Sequence, residues 1–229
     1  RLLINMVLVL AVCLSPLAVC AAAVPPLAAR GQHYRRVPVV SPVARLRACD
    51  HAGAHNLVVD ELWNEHLPDW LATRVEQLGF AHPTTVQSAA LPVILGGGDA
   101  VVQAATGSGK TLAYLLPVLA ALNPARAQVQ AVVVVPTREL GVQVAKLARQ
   151  LAAGRGVLSE RPSVMLLLDK SHGARERRWL RANPPSLVIA NPEALLRAVR
   201  TGGLRTGAVT RVVVDEVDEC VARRTDALS

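Results

Sequence analysis

The chain has 229 residues, enough for one large domain with extensions. Hydrophobic residues make up 52% and aromatics only 3%, so the core must be built from Ala, Val and Leu. Net charge is +8, but residues 1–49 hold six arginines and no acid, and removing those six charges leaves +2 for residues 50–229; overall basicity therefore does not by itself establish a nucleic-acid partner. The four cysteines (Cys13, Cys20, Cys49 and Cys220) form no C-x-x-C pair, so neither a disulfide framework nor a zinc site is implied. His51 and His55 lack further ligands at metal spacing and read as a solvated local pair.

Residues 2–29 carry no charge. The short apolar core at 6–14, the prolines at 16, 25 and 26 and the small residues Ala21-Ala22-Ala23 together read as a secretory leader with a cleavage site rather than as part of a fold. Residues 30–47 are Arg-rich, acid-free and Pro-interrupted, in the manner of an organelle transit peptide. In series the two suggest a bipartite presequence for import into a plastid, with no stable membrane association after processing. The alternatives are a membrane anchor and a mistranslated upstream region. Residues 1–49 are thus assigned to a targeting, disordered extension.

Beyond residue 60 strands and helices alternate. Residues 68–78 predict an amphipathic helix with Leu71, Val75 and Leu78 on one face. Thr84, after Pro83, is placed to cap a second helix through 95. Apolar, β-branched runs then recur at 100–102, 131–135, 164–168, 187–190 and 212–214, separated by helical patterns at 112–122, 139–152, 174–181 and 193–200. Continuously apolar strands reached through helices imply a parallel sheet buried on both faces. Ligands of such sheets bind at the carboxyl ends of the strands. The sequence motifs fall there.

Ala104-Ala105-Thr106-Gly107-Ser108-Gly109-Lys110-Thr111 links the first of these runs to a helix. Glycines let backbone approach an anion closely, and a helix N-terminus aims free N–H groups and its dipole at phosphates. Lys110 is placed to neutralise β/γ-phosphates and Thr111 to ligate Mg²⁺. Ala104 stands where the general phosphate-loop pattern has Gly. Arg211-Val-Val-Val-Asp215-Glu216-Val217-Asp218 ends the last apolar run in acids. An Asp at such a strand tip suits Mg²⁺ held mostly through water, and the following Glu suits a base for an attacking water. Upstream, Gln87 lies 23 residues before Lys110. Its amide offers a donor and an acceptor together, which matches the N6/N7 edge of adenine.

These motifs together resemble the first RecA-like domain of the DEAD-box RNA helicases. Gly79-Phe80-Ala81-His82-Pro83-Thr84-Thr85-Val86-Gln87 is similar to the family's Q motif. Residues 104–111 resemble its A-x-T-G-S-G-K-T loop, Pro136-Thr137-Arg138-Glu139-Leu140 its P-T-R-E-L motif, and Asp215-Glu216-Val217-Asp218 its D-E-A-D box with Val for Ala. The resemblance covers 60–220. It implies an α/β P-loop NTPase fold of RecA-like type, a parallel sheet flanked by helices, divided into a Q-motif region at 50–88 and an ATP-binding part at 89–229. It implies ATP and Mg²⁺ as ligands, with Phe80, Thr84 and Gln87 at the base and Thr106, Gly107, Ser108, Gly109, Lys110 and Thr111 at the phosphates. Thr111 and Asp215 would position Mg²⁺, Glu216 and Lys110 would serve catalysis, and Asp218 would serve coupling between domains. Thr137, Arg138 and Gly173 would contact the RNA backbone.

The chain departs from the family pattern in three places. Leu62, with Trp63 beside it, stands where the family has an isolated aromatic; Asn191-Pro192-Glu193-Ala194 stands for T-P-G-R; His172-Gly173 stands for a Gly-Gly motif. The basic cluster Lys170, Arg175, Arg177, Arg178 and Arg181 is either an RNA-facing patch or a solvated helix face. The Ser-Ala-Thr motif and a second RecA-like domain with arginine fingers are expected outside these residues, so the chain reads as the N-terminal half of an RNA helicase. The rival readings are a lone RecA-like domain acting as a non-enzymatic nucleotide- or RNA-binding adaptor, and another P-loop NTPase such as a DNA translocase.

Overall fold

In the computed structural model, residues 7–12, 39–40, 63–64, 67–104, 106–168, 178 and 180–226 are described. Among the described residues, seven strands form one sheet: β1 (Val7–Val12), β2 (Val39–Val40), β3 (Ala100–Gln103), β4 (Ala131–Val134), β5 (Val164–Leu167), β6 (Leu187–Ala190) and β7 (Arg211–Asp215). Their order is β2-β3-β1-β7-β4-β6-β5, and every pairing is parallel. The helices are α1 (Asp69–Gln77), α2 (Thr85–Leu95), α3 (Lys110–Ala121), α4 (Arg138–Ala152), α5 (Pro192–Arg200) and α6 (Val217–Asp226).

Burial of both sheet faces is visible residue by residue along β4. Ala131 and Val133 belong to a core shared with Leu115, Leu119, Val144 and Leu151, whereas Val132 and Val134 face a second core with Ala194, Ala198, Leu204 and Cys220. Side chains alternate across a strand, so a run apolar at every position is what a two-faced core requires. The paucity of aromatics is met by Leu and Val packing, with Trp63 and Tyr114 as the largest fully buried side chains.

The predicted elements from 68 onward agree with the structure to within about two residues at their ends, the usual fraying margin. The predicted helix at 174–181 falls largely outside the described residues, as do Leu62, Lys170, His172, Gly173, Arg175 and Arg177. Helix α1 anchors the far end of α4. Arg74 Nε donates to the Gln150 carbonyl at 2.8 Å, and the Arg155 guanidinium lies 4.7 Å from the Trp70 ring centre. Gly154 permits this approach, because a Cβ there would lie 2.6 Å from Arg74 Cβ.

The structure places two strands within residues 1–49, which the sequence reading assigns to a targeting, disordered extension. Val7–Val12, assigned there to a leader core, forms a strand between β3 and β7, with Val9 opposite both Ala100 and Val213. The physical reason is shared composition. An uncharged run rich in Val and Leu serves equally as the apolar core of a leader and as a strand in the middle of a parallel sheet. Val39–Val40 extends the sheet beyond β3. The remaining features assigned to residues 1–49, including Ala21-Ala22-Ala23, lie outside the described residues. Among the described residues, no helix is long and apolar enough to cross a membrane.

Candidate active site

The carboxyl ends of β3, β7 and β4 converge on one edge of the sheet and carry, in that order, the glycine-rich loop, the acid pair and the Thr137-Arg138 turn. Lys110 is the first residue of α3, and its side chain is only 8% exposed. Its ammonium donates to the Ala104 carbonyl, closing the loop on itself. Gly107 and Gly109 have φ of +80° and +92°, in the left-handed region that favours glycine. Gly109 is doubly constrained: a Cβ would lie 2.5 Å from Gln87 Nε2 and 2.9 Å from Thr84 Oγ1.

That crowding reveals what holds the loop. Thr84 caps α2 in a reciprocal box, its Oγ1 accepting from the Gln87 N–H while Gln87 Oε1 accepts from the Thr84 N–H at 2.8 Å. The same two side chains reach outward to the loop. Thr84 Oγ1 donates to the Ser108 carbonyl at 2.7 Å and Gln87 Nε2 to the Gly109 carbonyl at 3.0 Å. Gln87 is 2% exposed. The sequence reading gives its amide to an adenine edge, but here the oxygen and one N–H are already engaged, by the cap and by the loop. Phe80 is half-buried against the main core. Trp63 is fully buried in that core and does not stand in for a surface aromatic at a base site.

Asp215, at the tip of β7, is 3% exposed. Its Oδ2 accepts from the Tyr114 hydroxyl at 2.8 Å and its Oδ1 from the Glu216 N–H at 3.1 Å. Burial raises its pKa above the ordinary carboxylate value, opposed by the Tyr114 bond, the Lys110 charge and the Glu216 N–H. Tyr114 is pushed well above an ordinary phenol, first by burial and then by the adjacent Asp215 charge. The sequence reading missed Tyr114. Its signal was position: it lies four residues beyond Lys110, on the same helix face, and is the one hydroxyl-bearing side chain among the apolar residues 112–122.

Glu216 has φ of +47°, a left-handed conformation rare for a non-glycine residue. The chain turns there from β7 into α6. The Glu216 pKa is raised by burial, by a hydrogen bond with Glu219 and by the Asp215 and Glu219 charges, with Lys110 acting the other way. Cys220 Sγ lies 3.4 Å from the Asp215 carbonyl, and burial with the nearby acids pushes its thiol to about 12. Asp218 is exposed in the first turn of α6.

Thr137 caps α4, its side chain accepting from the Leu140 N–H at 3.1 Å, and Arg138 is exposed beside it. Asn191 keeps the capping role at the start of α5: its side chain accepts from the Ala194 N–H at 2.8 Å and donates to the Leu168 carbonyl at 3.3 Å. The change from T-P-G-R therefore preserves the helix start while placing Glu193 in its first turn. Gly173 lies outside the described residues.

Hard oxygen donors, the Thr111 hydroxyl and the Asp215 carboxylate, fit Mg²⁺, which binds proteins through one or two carboxylates and completes its shell with phosphates and water. Among the described residues no cluster of three or more His, Cys, Asp or Glu could hold a metal unaided.

The chain matches the family model "DEAD/DEAH box helicase" over residues 84–228. It is 43% identical over 162 residues to DEAD-box ATP-dependent RNA helicase 58, chloroplastic, of Arabidopsis thaliana, covering 71% of this chain and 34% of the relative. It is 38% identical over 169 residues to DEAD-box ATP-dependent RNA helicase 47, mitochondrial, of the same plant, covering 68% and 30%. The chain thus spans about a third of the length of these relatives. In fold it is similar to S. cerevisiae Dbp5 bound to RNA and ADP BeF3, with a TM-score of 0.59 at 22% identity over 72% of this chain and 43% of the other. On the match to the family model across most of its length, the chain belongs to the DEAD/DEAH box helicase family.

Proposed function

We propose that this chain is the ATP-binding half of an ATP-dependent RNA helicase. The observation that carries the reading is the convergence, at one sheet edge, of Lys110 in a glycine-rich loop, Thr84 and Gln87 bonded to that loop, and the Asp215–Glu216 pair. Lys110 and the N–H groups at the start of α3 bind the β- and γ-phosphates. For this the Lys110 ammonium exchanges the Ala104 carbonyl for phosphate oxygen. Gln87 meets adenine through its second amide N–H, or through Oε1 once the Thr84 N–H is released. Mg²⁺, held by Thr111 and Asp215, supplies neutralisation of phosphate charge. Glu216 takes a proton from water as the water oxygen bonds to the γ-phosphorus and the bond to the β-phosphate oxygen breaks, leaving ADP. A second RecA-like domain of the whole protein closes the cleft and adds arginine fingers, a contribution of about 10³–10⁵ in rate.

Thr137 and Arg138 contact RNA phosphates at the start of α4, a mode that carries no sequence information; Gly173 serves the same surface. Asp218, exposed one turn from the acid pair, couples hydrolysis to the second domain. The plastid is the proposed compartment, supported by the Arg-rich stretch 30–47 and by relatives named chloroplastic and mitochondrial. Cleavage after Ala21-Ala22-Ala23 would remove β1 from the sheet.

In the whole protein, Lys110→Ala is expected to abolish ATP binding, measured by titration with a fluorescent analogue. Glu216→Gln should keep binding and lose turnover. Parental turnover by Glu216→Gln would remove Glu216 from the chemistry.

A further inference from the structure

The basic cluster at 170–181 is not used by the nucleotide site, and its described end points elsewhere. Arg181 lies at the opposite edge of the sheet, at the amino ends of the strands. There it lines a depression of about 510 Å³ together with Arg126, Arg205 and the glycine-bearing turn 203–210 that precedes β7. An adjoining depression of about 660 Å³, before β5 and β6, is lined by Arg149 and shares Arg126, Ala127 and Pro184 with the first. Among the described residues, neither is lined by a carboxylate. All four arginines are exposed.

Two of the four side chains are fixed by bonds to backbone carbonyls. Arg181 Nε donates to the Gly202 carbonyl at 2.7 Å, and one Arg149 terminal N–H donates to the Val164 carbonyl at 3.2 Å. Gly202 has φ of +64°, and a Cβ there would lie 3.0 Å from the Arg181 guanidinium. Arg126 sits on a loop held by the buried Gln130, whose amide donates to the Asn123 and Arg126 carbonyls and whose oxygen accepts from the Asn123 N–H. Each anchored guanidinium keeps further N–H groups in the forked arrangement that matches phosphate oxygens.

We propose that Arg126, Arg149, Arg181 and Arg205 form a second RNA-backbone contact, at the end of the sheet opposite the nucleotide loop; the inference rests on the RNA reading given above. Two adjoining basic hollows are larger than one phosphate needs and suit successive phosphates of a single strand. Among the described residues no aromatic side chain lines either hollow, and arginine–phosphate contacts of this kind are indifferent to sequence. An RNA segment bound here lies across the thickness of the domain from Arg138, roughly 13–17 Å away for strands of four or five residues. The site thus holds a flanking stretch of the RNA rather than the stretch in the cleft.

The test is binding of a labelled 12-nucleotide oligo(U) to the chain, by fluorescence anisotropy between 50 and 200 mM KCl. Arg126→Glu/Arg205→Glu, both at exposed positions, should weaken binding about tenfold or more at 50 mM and lower the log–log salt slope by about 1.4, at roughly 0.7 per lost phosphate contact. Arg126→Lys/Arg205→Lys should retain most of the slope, and both variants should keep the parental thermal shift with ATP, which reports on an intact nucleotide site. An unchanged slope in the Glu variant overturns the inference. So does displacement of oligo(U) by an oligo-Glu peptide of equal charge at lower concentration, which would mark an acidic protein segment as the occupant. Loss of binding in Arg138→Ala alone sinks the second contact and leaves the RNA reading standing. Failure of the parent to bind oligo(U) at 50 mM sinks both.

Discussion

Asp215 shows how the site is built at the level of single residues. A carboxylate 3% exposed is costly to ionise, and one phenol, one N–H and the charge of Lys110 only partly offset burial. The sign for stability follows from the raised pKa. Below the unfolded value the group is protonated in both states and costs nothing. As pH rises through the interval up to the folded value, the unfolded chain ionises first and stability falls; above the folded value the cost is fully present. Asp215→Asn, whose Oδ1 can accept from the Glu216 N–H while its amide donates to the Tyr114 hydroxyl oxygen, should therefore raise the melting temperature at pH 7, with the gap closing towards pH 3 in a thermal scan. An equal gap at both pH values would mean that Asp215 ionisation is not the cause. Metal-dependent turnover should be lost in the same variant. The identities of Asp215, Glu216, Lys110 and Thr111 were legible in the sequence because their chemistry and order are. The left-handed turn at Glu216 and the Tyr114 bond were not, because both arise from how β7 and α3 are brought together.

At the scale of elements, α2 and the glycine-rich loop act as one unit. Two side chains of a capping box serve both the helix start and the loop carbonyls. The box itself was readable as Thr84 with Gln87 at the third helical position. Its second use was not, since nothing local to 84–87 says that 108–109 will lie against it. Thr84→Ala should cost about 1 kcal/mol in denaturant unfolding from the lost cap. It should also weaken ATP binding several-fold by releasing the Ser108 carbonyl, whereas Thr84→Ser should restore both. Unfolding energy that falls while affinity stays at the parental value would separate the cap from the loop. The helices and strands beyond 68 were legible because apolar periodicity and turn residues agree at each step. The register between them comes from contacts far apart in sequence.

At the scale of the molecule, the phosphate loop and the acid pair sit on strands that do not pair with each other. β1 lies between them, so their separation is two strand spacings, about 9.6 Å. Val9→Pro removes an N–H from the ladder and orphans a carbonyl, a loss of about 1–3 kcal/mol, and should lower both the unfolding energy and ATP affinity. Unaltered stability would mean that the strand is dispensable to the sheet. Composition suits residues 7–12 to both roles, because a place inside a parallel sheet and the core of a leader ask for the same uncharged residues.

The order of synthesis gives β1 a further character. Residues 7–12 are synthesised well before their partners at 100–103 and 211–215. Pairings of such long sequence separation form late, after the entropy of closing the intervening chain has been met. This apolar hexapeptide thus stays without its native neighbours until residues 211–215 have been synthesised. During that interval it is open to any factor that reads nascent apolar segments, and cleavage after Ala21-Ala22-Ala23 decides whether the six residues act only as an address or remain as the strand between β3 and β7.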